Sequence, residues 1–286
     1  MTTTHTPEHE RSTGARPAGI MTEQDAAANV QQMFDTIAPT YDRANHLLSV
    51  GIDRSWWTRT ARIFRPILQQ PETVALDLCC GTGDMTMALL RHRPVAHQNR
   101  VPHLRDGLIV AKVGEASQIP QAAALQPAPI LAIDFSHQML SLGQKKFANK
   151  NVFPIEADAL HLPIANASID LVTSAFGFRN LSNYEEGLAE ILRVLRPGGQ
   201  LGILECNQPE GLTGAIYNLY FKSILPRLGG LITGNASAYS YLNSSVERFP
   251  RPPRMIDLLH KAGFTNPTWT SYTFGAVGLY HATKKT

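Results

Sequence analysis

The fold is decided by VALDLCCGTGDM, residues 74–85, where a short apolar run ends at an acid, two cysteines and two glycines. An apolar run that stops at glycine and continues into a helix-forming segment predicts a buried strand followed by a tight turn and a helix. The same alternation continues downstream. Further strands are predicted at 129–136, 152–158, 169–176 and 200–206, and helices at 84–92, 136–148 and 182–195. This order predicts an α/β fold, with a mostly parallel sheet covered by helices on both faces.

Local signals set the expected boundaries of these elements. Ser136 is the expected N-cap of one helix, and Ser182 with Glu185 forms an S-x-x-E capping box for another. The RPGG run at 196–199 should end that helix. The last two strand-like runs, 267–274 and 276–284, flank Gly275 and predict an antiparallel pair.

The region before residue 74 is predicted to be helical in part. Val30, Met33, Phe34 and Ile37 have the spacing of one helix face. The stretch APTYDRANHLLSVGID, residues 38–53, favours a loop or a broken helix, after which Asp53 should cap a helix that carries Trp56 and Trp57.

Composition restricts the class of protein. The 286 residues are 43% hydrophobic and 17% charged, which is typical of a globular chain. No apolar run reaches the roughly 20 residues that a membrane helix needs, and the polar N-terminus lacks a signal-peptide core, so a cytoplasmic protein is expected. Three cysteines are too few for a disulfide framework, and a net charge of +3 gives no reason to expect a nucleic-acid partner.

Two segments are expected to lie outside the α/β unit. Residues 1–25 are predicted to form a disordered tail, which leaves 26–286 as one domain. Residues 91–129 hold five prolines and no sustained periodicity. This stretch is far longer than the usual connection between a helix and the next strand, and it is interpreted as an inserted surface loop.

The glycine turn after the first strand excludes several common ligands. A phosphate-binding P-loop needs a lysine that does not follow Gly83. A dinucleotide loop would have its third glycine at Thr86, and Asp84 would repel a pyrophosphate at the helix N-terminus. The adjacent Cys79 and Cys80 do not have the spacing of metal ligands, so no metal site is expected.

S-adenosylmethionine fits this turn better, because it carries a sulfonium, an ammonium and a carboxylate but no phosphate. Glycine N–H groups can face its carboxylate, while Asp77 or Asp84 can offset its positive charges. Asp134, at the end of the second strand, is placed for the ribose hydroxyls. Asp158, after the third strand, is placed for the adenine amino group. One acid at each of three successive strand ends is a sharper signal than the glycines alone.

Four segments resemble a known family: LDLCCGTGD (76–84), AIDFSHQML (132–140), FGFRNL (176–181) and YLNSSVERFP (241–250). They are similar to class I methyltransferases of quinone biosynthesis, the demethylmenaquinone and 2-polyprenyl-methoxybenzoquinol C-methyltransferases. The resemblance covers about residues 30–283. It implies a Rossmann-like sheet of seven strands with a reversed last strand, an N-terminal helical lid at 26–70 and a segment at 207–250 that covers the acceptor.

The resemblance also implies an activity and a set of site residues. The expected reaction is methylation of a ring carbon of a prenylated hydroquinone, most simply demethylmenaquinol, with 2-polyprenyl-6-methoxy-1,4-benzoquinol as the alternative acceptor. The expected cofactor-binding residues are Tyr41, Asp77, Cys80, Gly81, Thr82, Gly83, Asp134, Phe135, Asp158, Ala159 and Ser174. The expected substrate-binding residues are Phe176, Gly177, Arg179, Asn180, Tyr239 and Tyr241.

Three of these residues are expected to be catalytic. Arg179 would stabilise the ring oxyanion, Asn180 would bind a ring oxygen, and Tyr41 would pack on the sulfonium or bind the methionine carboxylate. A structural salt bridge is the alternative for Arg179, and simple packing is the alternative for Tyr41. The candidate bases are His161, His260 and His281.

Other functions and partners stay open at this point. An O- or N-methyltransferase for another small acceptor would keep the three acids, and a non-catalytic cofactor-binding partner subunit is a different class of protein. A prenylated substrate favours contact with the inner face of a membrane, with its tail in an apolar channel. The apolar stretches 47–57 and 216–232 would line that channel or contact the bilayer. A homodimer is a further expectation.

Overall fold

Strands and helices alternate after residue 74, as the sequence predicts. A computed structural model describes residues 14–15, 22–49, 51–94, 127–211, 214 and 236–286, without the side chains of 43–45, 47–48 and 236–240. The strands are β1 (Ala75–Leu78), β2 (Ile130–Asp134), β3 (Val152–Glu156), β4 (Ile169–Ala175), β5 (Leu195–Cys206), β6 (Phe264–Tyr272) and β7 (Val277–Lys284). The helices described are α1 (Glu23–Leu48), α2 (Asp53–Ile63), α3 (Arg65–Leu68), α4 (Asp84–Leu90), α5 (His137–Phe147), α6 (Tyr184–Val194), α7 (Ala236–Arg248) and α8 (Pro252–Lys261).

The strands form one sheet in the order β3-β2-β1-β4-β5-β7-β6. β1 pairs in parallel with β2 and β4, and β7 runs antiparallel to both of its neighbours, β5 and β6. The order reverses at β1, which places the β1 turn at the switch point where ligands bind in open α/β sheets. The expected seven-stranded sheet with a reversed last strand is confirmed.

Both faces of the sheet are buried, because successive side chains of a strand point to opposite faces. Leu76 and Leu78 lie in a core that α6 and α8 cover. Ala75 lies in the opposite core, which includes Phe64 and Leu68 from the α2–α3 region. All four residues of β1 are buried, as expected for the central strand of a covered sheet.

Helix α1 corrects the prediction of a loop or broken helix at 38–53, because it continues unbroken through Pro39 to Leu48. Proline within a helix removes one backbone hydrogen bond, at a cost of about 3 kcal/mol. The contacts of α1 with the rest of the domain offset that cost. Ala38 is buried, and Asp35 accepts a hydrogen bond from the Ser136 hydroxyl.

Two predicted helix caps are also wrong. Asp53 is the first residue of α2 rather than its cap, and its carboxylate lies 2.5 Å from His46 Nδ1. The cap of α6 is Asn183, whose side chain accepts from Glu186 N–H, and not Ser182 with Glu185. The cap at Ser136 is confirmed, since its hydroxyl accepts from Met139 N–H.

The two ends of the predicted insertion lie side by side. The buried guanidinium of Arg93 donates to the backbone carbonyls of Leu68, Gln70, Pro71 and Ala128. Arg93 therefore joins the end of α4 to the start of β2 across the insertion, of which 95–126 lie outside the described residues. Most of the predicted tail also lies outside them, although Ala15 is buried and its N–H donates to Leu181 O. Within the described residues, no helix is long and apolar enough to cross a membrane.

Candidate active site

The carboxyl ends of β1 and β2 and the turn after β3 meet at one edge of the sheet and form a cavity. Asp77, Asp134 and Asp158 all line it, as their positions after successive strands predict. Its space is about 980 Å³ including the open mouth, which lies within the range of small-molecule sites. The order of the strands in the sheet therefore brings together three carboxylates that are up to 81 residues apart in sequence.

The cavity wall carries only negative charge among the residues that the structure describes. Its charged residues are Asp77, Asp84, Asp134 and Asp158, and it contains no Lys, Arg or His. A phosphate would be repelled by such a wall, whereas a sulfonium and an ammonium would be attracted to it. The donor and acceptor set thus fits S-adenosylmethionine better than a pyrophosphate-containing cofactor.

The glycine turn is shaped around Asp134. Its Oδ2 accepts from Gly81 N–H at 2.8 Å and its Oδ1 accepts from Ser136 N–H at 2.9 Å. Gly81 has φ +54° and a Cβ there would meet only open space, so the backbone faces the cavity. A Cβ on Gly83 would lie 2.3 Å from the Phe147 ring, at φ +88°. Gly81 therefore leaves room for a ligand, while Gly83 permits the close contact between the turn and α5.

Two carboxyl groups of the cavity are held away from bulk water. Burial raises the pKa of Asp77 to about 7, although hydroxyl hydrogen bonds from Thr86 and Thr173 lower it. Burial also raises the pKa of Asp134 to about 6, against hydrogen bonds from the Ser136 and Gly81 N–H groups. A bound cation would favour the ionised form of both groups.

Asp158 has a different environment, with about half of its side chain exposed. Its Oδ1 accepts from Leu160 N–H at 3.0 Å, and its Oδ2 lies 3.3 Å from His161 Nδ1. His161 is itself largely exposed and is not part of the cavity wall. His281 packs edge-on against Phe64 in the opposite core, 5.2 Å between ring centres, and does not reach the cavity either.

Helix α1 covers the mouth of the cavity. Ala27, Phe34 and Tyr41 repeat at seven-residue intervals and line it, because residues seven apart share a helix face. Hydrogen bonds join α1 to the segments that follow β1 and β2 at two places. Gln31 Nε2 donates to Phe135 O at 2.7 Å, and the Thr82 hydroxyl donates to Asp42.

Lys146 of α5 strengthens the second of these contacts. Its ammonium lies 2.8 Å from Asp42 Oδ2 on α1 and 2.7 Å from Asp84 Oδ1 at the start of α4. It also donates to the Thr82 hydroxyl at 3.1 Å. One lysine therefore links the covering helix, the glycine turn and α5, and holds Asp84 beside the cavity without entering it.

The loop after β4 forms the opposite wall. Phe176, Gly177 and Asn180 line the cavity, and Phe176 has φ +59°, a conformation that is strained for a bulky residue. A Cβ on Gly177 would lie 2.3 Å from Cys79 Cβ, so this loop packs directly on the β1 turn. Asn180 Oδ1 accepts from the Tyr241 hydroxyl at 3.2 Å, which connects the wall to α7.

Arg179 lies beneath this loop and does not line the cavity. Its Nη1 lies 2.9 Å from Glu205 Oε2, and its own N–H donates to Glu205 Oε1 at 3.0 Å. The guanidinium also donates to Phe176 O and to the Ser245 hydroxyl. The structural salt bridge that the sequence left open for Arg179 is present, with Glu205 fully buried.

The ubiE/COQ5 methyltransferase family profile matches residues 21–284. A demethylmenaquinone methyltransferase of Deinococcus radiodurans is 39% identical over 92% of this chain and 95% of its own length. One of Thermus thermophilus is 37% identical over 87% and 98%.

This chain belongs to the ubiE/COQ5 methyltransferase family. It is an S-adenosylmethionine-dependent methyltransferase, so the expected enzyme class and cofactor are confirmed. A crystal structure from Thermotoga maritima, a possible histamine N-methyltransferase, shares the fold with a TM-score of 0.56. It is 17% identical over 90% of this chain and all of its own.

Most of the expected site residues of this family member line the cavity. They are Tyr41, Asp77, Cys80, Gly81, Thr82, Asp134, Phe135, Asp158, Ala159, Phe176, Gly177 and Asn180. Their individual contacts with cofactor and acceptor stay predictions.

The structure places four of the expected site residues elsewhere. Gly83 caps α4, and Arg179 pairs with Glu205. Ser174 is buried on the other face of β4 from Ala175, which lines the cavity in its place. Tyr241 reaches the site only through Asn180. Tyr239 falls on α7, and its side chain lies outside the described ones.

Several lining residues were not predicted from the sequence, among them Ala27, Phe34 and Trp57. The seven-residue spacing that ends at Tyr41 was a usable signal for the first two. The prediction of a loop or broken helix at 38–53 separated Tyr41 from that helix face. Trp57 belongs to the apolar stretch 47–57 that was expected to line a channel for the prenyl tail or to contact a bilayer, but it was not named as a site residue.

Binding of S-adenosylmethionine should weaken as pH falls through 7. A carboxyl of pKa about 7 is ionised in roughly one molecule in ten at pH 6. If Asp77 must be ionised to hold the cation, the dissociation constant should rise about tenfold from pH 8 to pH 6, with proton release on binding. Calorimetry in buffers of different ionisation enthalpy measures both quantities.

The effect of the same group on folding has the opposite sign. Because the pKa of Asp77 is raised in the folded state from 3.8 to about 7, lowering the pH from 8 to 6 should stabilise the ligand-free protein through this group. Asp77→Asn should flatten the pH dependence of the dissociation constant and that of the folding stability. Asp257→Asn, on the exposed side of α8, should leave both unchanged. A dissociation constant that is constant between pH 6 and 8 would rule out this role for Asp77.

Proposed function

We propose that this enzyme transfers a methyl group from S-adenosylmethionine to a ring carbon of demethylmenaquinol. The observation that carries the proposal is a single cavity with two unlike sides. Four carboxylates lie around the β1 turn, and the loop 176–181 with α1 and Trp57 supplies an aromatic and apolar wall. The second wall suits a flat, prenylated ring, and the relatives from Deinococcus radiodurans and Thermus thermophilus are named demethylmenaquinone methyltransferases.

The acidic side would bind and orient the cofactor. Asp77 would face the ammonium, Asp134 would accept from the ribose hydroxyls, and Asp158 would accept from the adenine amino group. The backbone of the turn at Gly81 would face the carboxylate. Bound S-adenosylmethionine supplies an electrophilic methyl group on a sulfonium.

The opposite wall would position the acceptor. Asn180 would hydrogen-bond a ring oxygen through its amide N–H, because its Oδ1 already accepts from Tyr241. Phe176 and Phe34 would restrict the ring plane and exclude water. Holding a ring carbon about 3 to 3.5 Å from the methyl group would provide much of the acceleration. A dry site also favours a step in which an anionic ring and a cationic sulfonium neutralise each other.

Arg179 would act on this wall as a positioning residue. Its bonds to Glu205 and to Phe176 O fix the strained loop that presents Phe176 and Asn180. Direct contact with the ring oxyanion stays the alternative.

Incubation with trideuteromethyl-labelled S-adenosylmethionine and each reduced precursor tests the function. Mass spectrometry of the lipid should show one labelled methyl group on the ring carbon of demethylmenaquinol, at a higher rate than on 2-polyprenyl-6-methoxy-1,4-benzoquinol. Methylation of a ring oxygen would indicate the O-methyltransferase alternative. Tight cofactor binding without transfer to either quinol would indicate a non-catalytic subunit. Membrane contact and a homodimer are further predictions of this function, and the apolar stretch 216–232 lies outside the described residues.

A further inference from the structure

Helix α2 and the short α3 that follows it present an exposed side to solvent. Their buried side consists of Asp53, Thr60, Ala61 and Leu68. The exposed side carries four arginines, at positions 54, 59, 62 and 65. Such a division, with cations along one side of a short helix, is typical of helices that lie on an anionic surface.

Exposed apolar residues adjoin these arginines. The large hydrophobic side chains that the described part of the chain leaves exposed are Ile52 (45% exposed), Ile63 (38%) and Phe274 (85%). Ile52 and Ile63 flank α2 at its two ends. Phe274 lies on the turn between β6 and β7, where Trp56 Nε1–H donates to Thr273 Oγ1 at 2.7 Å. The four arginines and these three residues are called here the α2 surface.

The geometry of the turn exposes Phe274 fully. Phe274 has φ +54° and its neighbour Thr273 has φ +45°, both in the region that bulky residues avoid. The turn is held against α2 by the Trp56 hydrogen bond, and Arg59 lies 4.3 Å from the centre of the Tyr272 ring. These two contacts therefore fix the turn that carries the Phe274 ring against α2.

The arginines of the α2 surface have no acidic partner among the described residues. Other arginines of the chain do, since Arg179, Arg193 and Arg196 each lie within 3.0 Å of a carboxylate oxygen. The positive field of the surface is strong enough to act on a neighbour. Burial, and next the charges of Arg65 and Arg62, lower the pKa of His92. A cluster of exposed arginines of this kind attracts anionic groups.

The α2 surface is also next to the active-site cavity. Trp57 lines the cavity, and the ring of Trp56 lies 5.7 Å from the ring of Phe176 on the acceptor wall. A lipid tail that leaves a bilayer at this surface would thus have one layer of aromatic side chains between it and the cavity.

We propose that the α2 surface docks the enzyme on an anionic phospholipid bilayer, with Phe274, Ile52 and Ile63 in the headgroup region and the arginines on lipid phosphates. The inference rests on the proposed prenylated acceptor, which resides in such a bilayer. A nucleic acid would use the arginines but leave the apolar residues without a partner. A second copy related by a two-fold axis would set arginines against arginines.

Flotation with vesicles tests the surface without any catalytic readout. The wild-type chain should float with vesicles of 30% phosphatidylglycerol in phosphatidylcholine at low salt, and not with pure phosphatidylcholine. Arg54→Glu/Arg62→Glu should lower the partition coefficient about 30-fold or more, given the usual contribution of each basic residue near a membrane. Phe274→Asn, which suits a positive φ, should lower it about fivefold.

The control variant is Arg254→Glu/Lys261→Glu on α8, which makes the same change of net charge at another exposed place. It should bind within about threefold of the wild type, since one or two remote charges contribute little beyond a Debye length. Equal loss in both double variants would mean that net charge alone accounts for binding, and would overturn the proposal. Absence of wild-type flotation at low salt would overturn it as well.

Turnover separates this proposal from the proposed function. The Arg54→Glu/Arg62→Glu variant should methylate a short-chain demethylmenaquinol in micelles at a rate within twofold of the wild type. Its methylation rate on a long-chain acceptor in anionic vesicles should be at least tenfold lower than that of the wild type. No methylation by the wild type with intact flotation would reject the quinol substrate and leave the docking surface in place. A shift of oligomeric state in the double variant, seen by ultracentrifugation, would assign the surface to a second copy instead.

Discussion

An Asp134→Ala variant is expected to bind S-adenosylmethionine about 100-fold more weakly than the wild type. In the proposed binding mode the carboxylate accepts from both ribose hydroxyls, and a hydrogen bond to a charged group contributes about 1.5–3 kcal/mol. Two such bonds at the lower end of this range correspond to about 3 kcal/mol, or roughly two powers of ten. The variant also loses the acceptor of Gly81 N–H, which shapes the turn. Calorimetric titration of the ligand-free enzyme measures the loss.

Two further variants separate ligand binding from loop shape. Asp134→Asn keeps one oxygen acceptor but removes the charge, and should lie between the wild type and Asp134→Ala. Asp257→Ala removes an acid from the exposed side of α8 and should bind as the wild type does. If Asp134→Ala bound the cofactor within threefold of the wild type, the assignment of the ribose to β2 would be wrong.

The second large effect is expected at the buried Arg179–Glu205 pair. Arg179→Ala leaves Glu205 without its ion-pair partner, and breaking a buried pair in this way costs about 3–5 kcal/mol of stability. Two further variants test the role: Arg179→Lys keeps both charges of the pair, whereas Glu205→Gln keeps the side-chain shape but leaves the buried guanidinium unpaired and should also lower stability. Arg179→Lys and Glu205→Gln should each lower kcat about 10- to 100-fold, because either change loosens the loop that presents Phe176 and Asn180. The KM for S-adenosylmethionine should change less than threefold, since the four cavity acids are intact.

These two variants distinguish positioning from direct catalysis. Glu205 does not line the cavity, so a direct role of the guanidinium on the ring oxygen predicts that Glu205→Gln keeps or raises kcat while Arg179→Lys abolishes it. The matched control is Glu190→Gln in the partly exposed pair with Arg193, where little change is expected. Steady-state kinetics with both substrates varied, together with thermal unfolding of each variant, separates these outcomes.

Much of the acidic side of the site could be predicted because it depends on local order. Asp77 lies one residue before the end of a short apolar strand and Asp134 ends the next one, and parallel strands bring their carboxyl ends to one edge of a sheet. Gly81 and Thr82 follow directly from the same turn. Each of these positions needs only the strand assignment and the chain direction, and both are visible in the alternation of apolar runs and helices.

The acceptor wall was harder to predict. It depends on which face of a strand each residue lies on, and on contacts with residues that are distant in sequence. Ser174 and Ala175 are the last two residues of β4, and only the orientation of the strand decides that Ala175 faces the cavity. Arg179 belongs to the same loop as Asn180, yet it turns to Glu205, which is 26 residues away in sequence. The family motif placed both residues near the site, but it did not say which side chain enters the cavity.

The sequence by itself determined the α/β class, the reversed last strand and the three acids at successive strand ends, because hydrophobic period and turn residues act over a few positions. Only the tertiary structure decided that α1 continues through Pro39 to cover the cavity and that Arg179 is buried against Glu205. It alone also decided that four arginines and Phe274 share one surface. The reason is physical: burial and ion pairing depend on which distant segments meet, and the free energy of those contacts overrides the local signal of a proline or a charge.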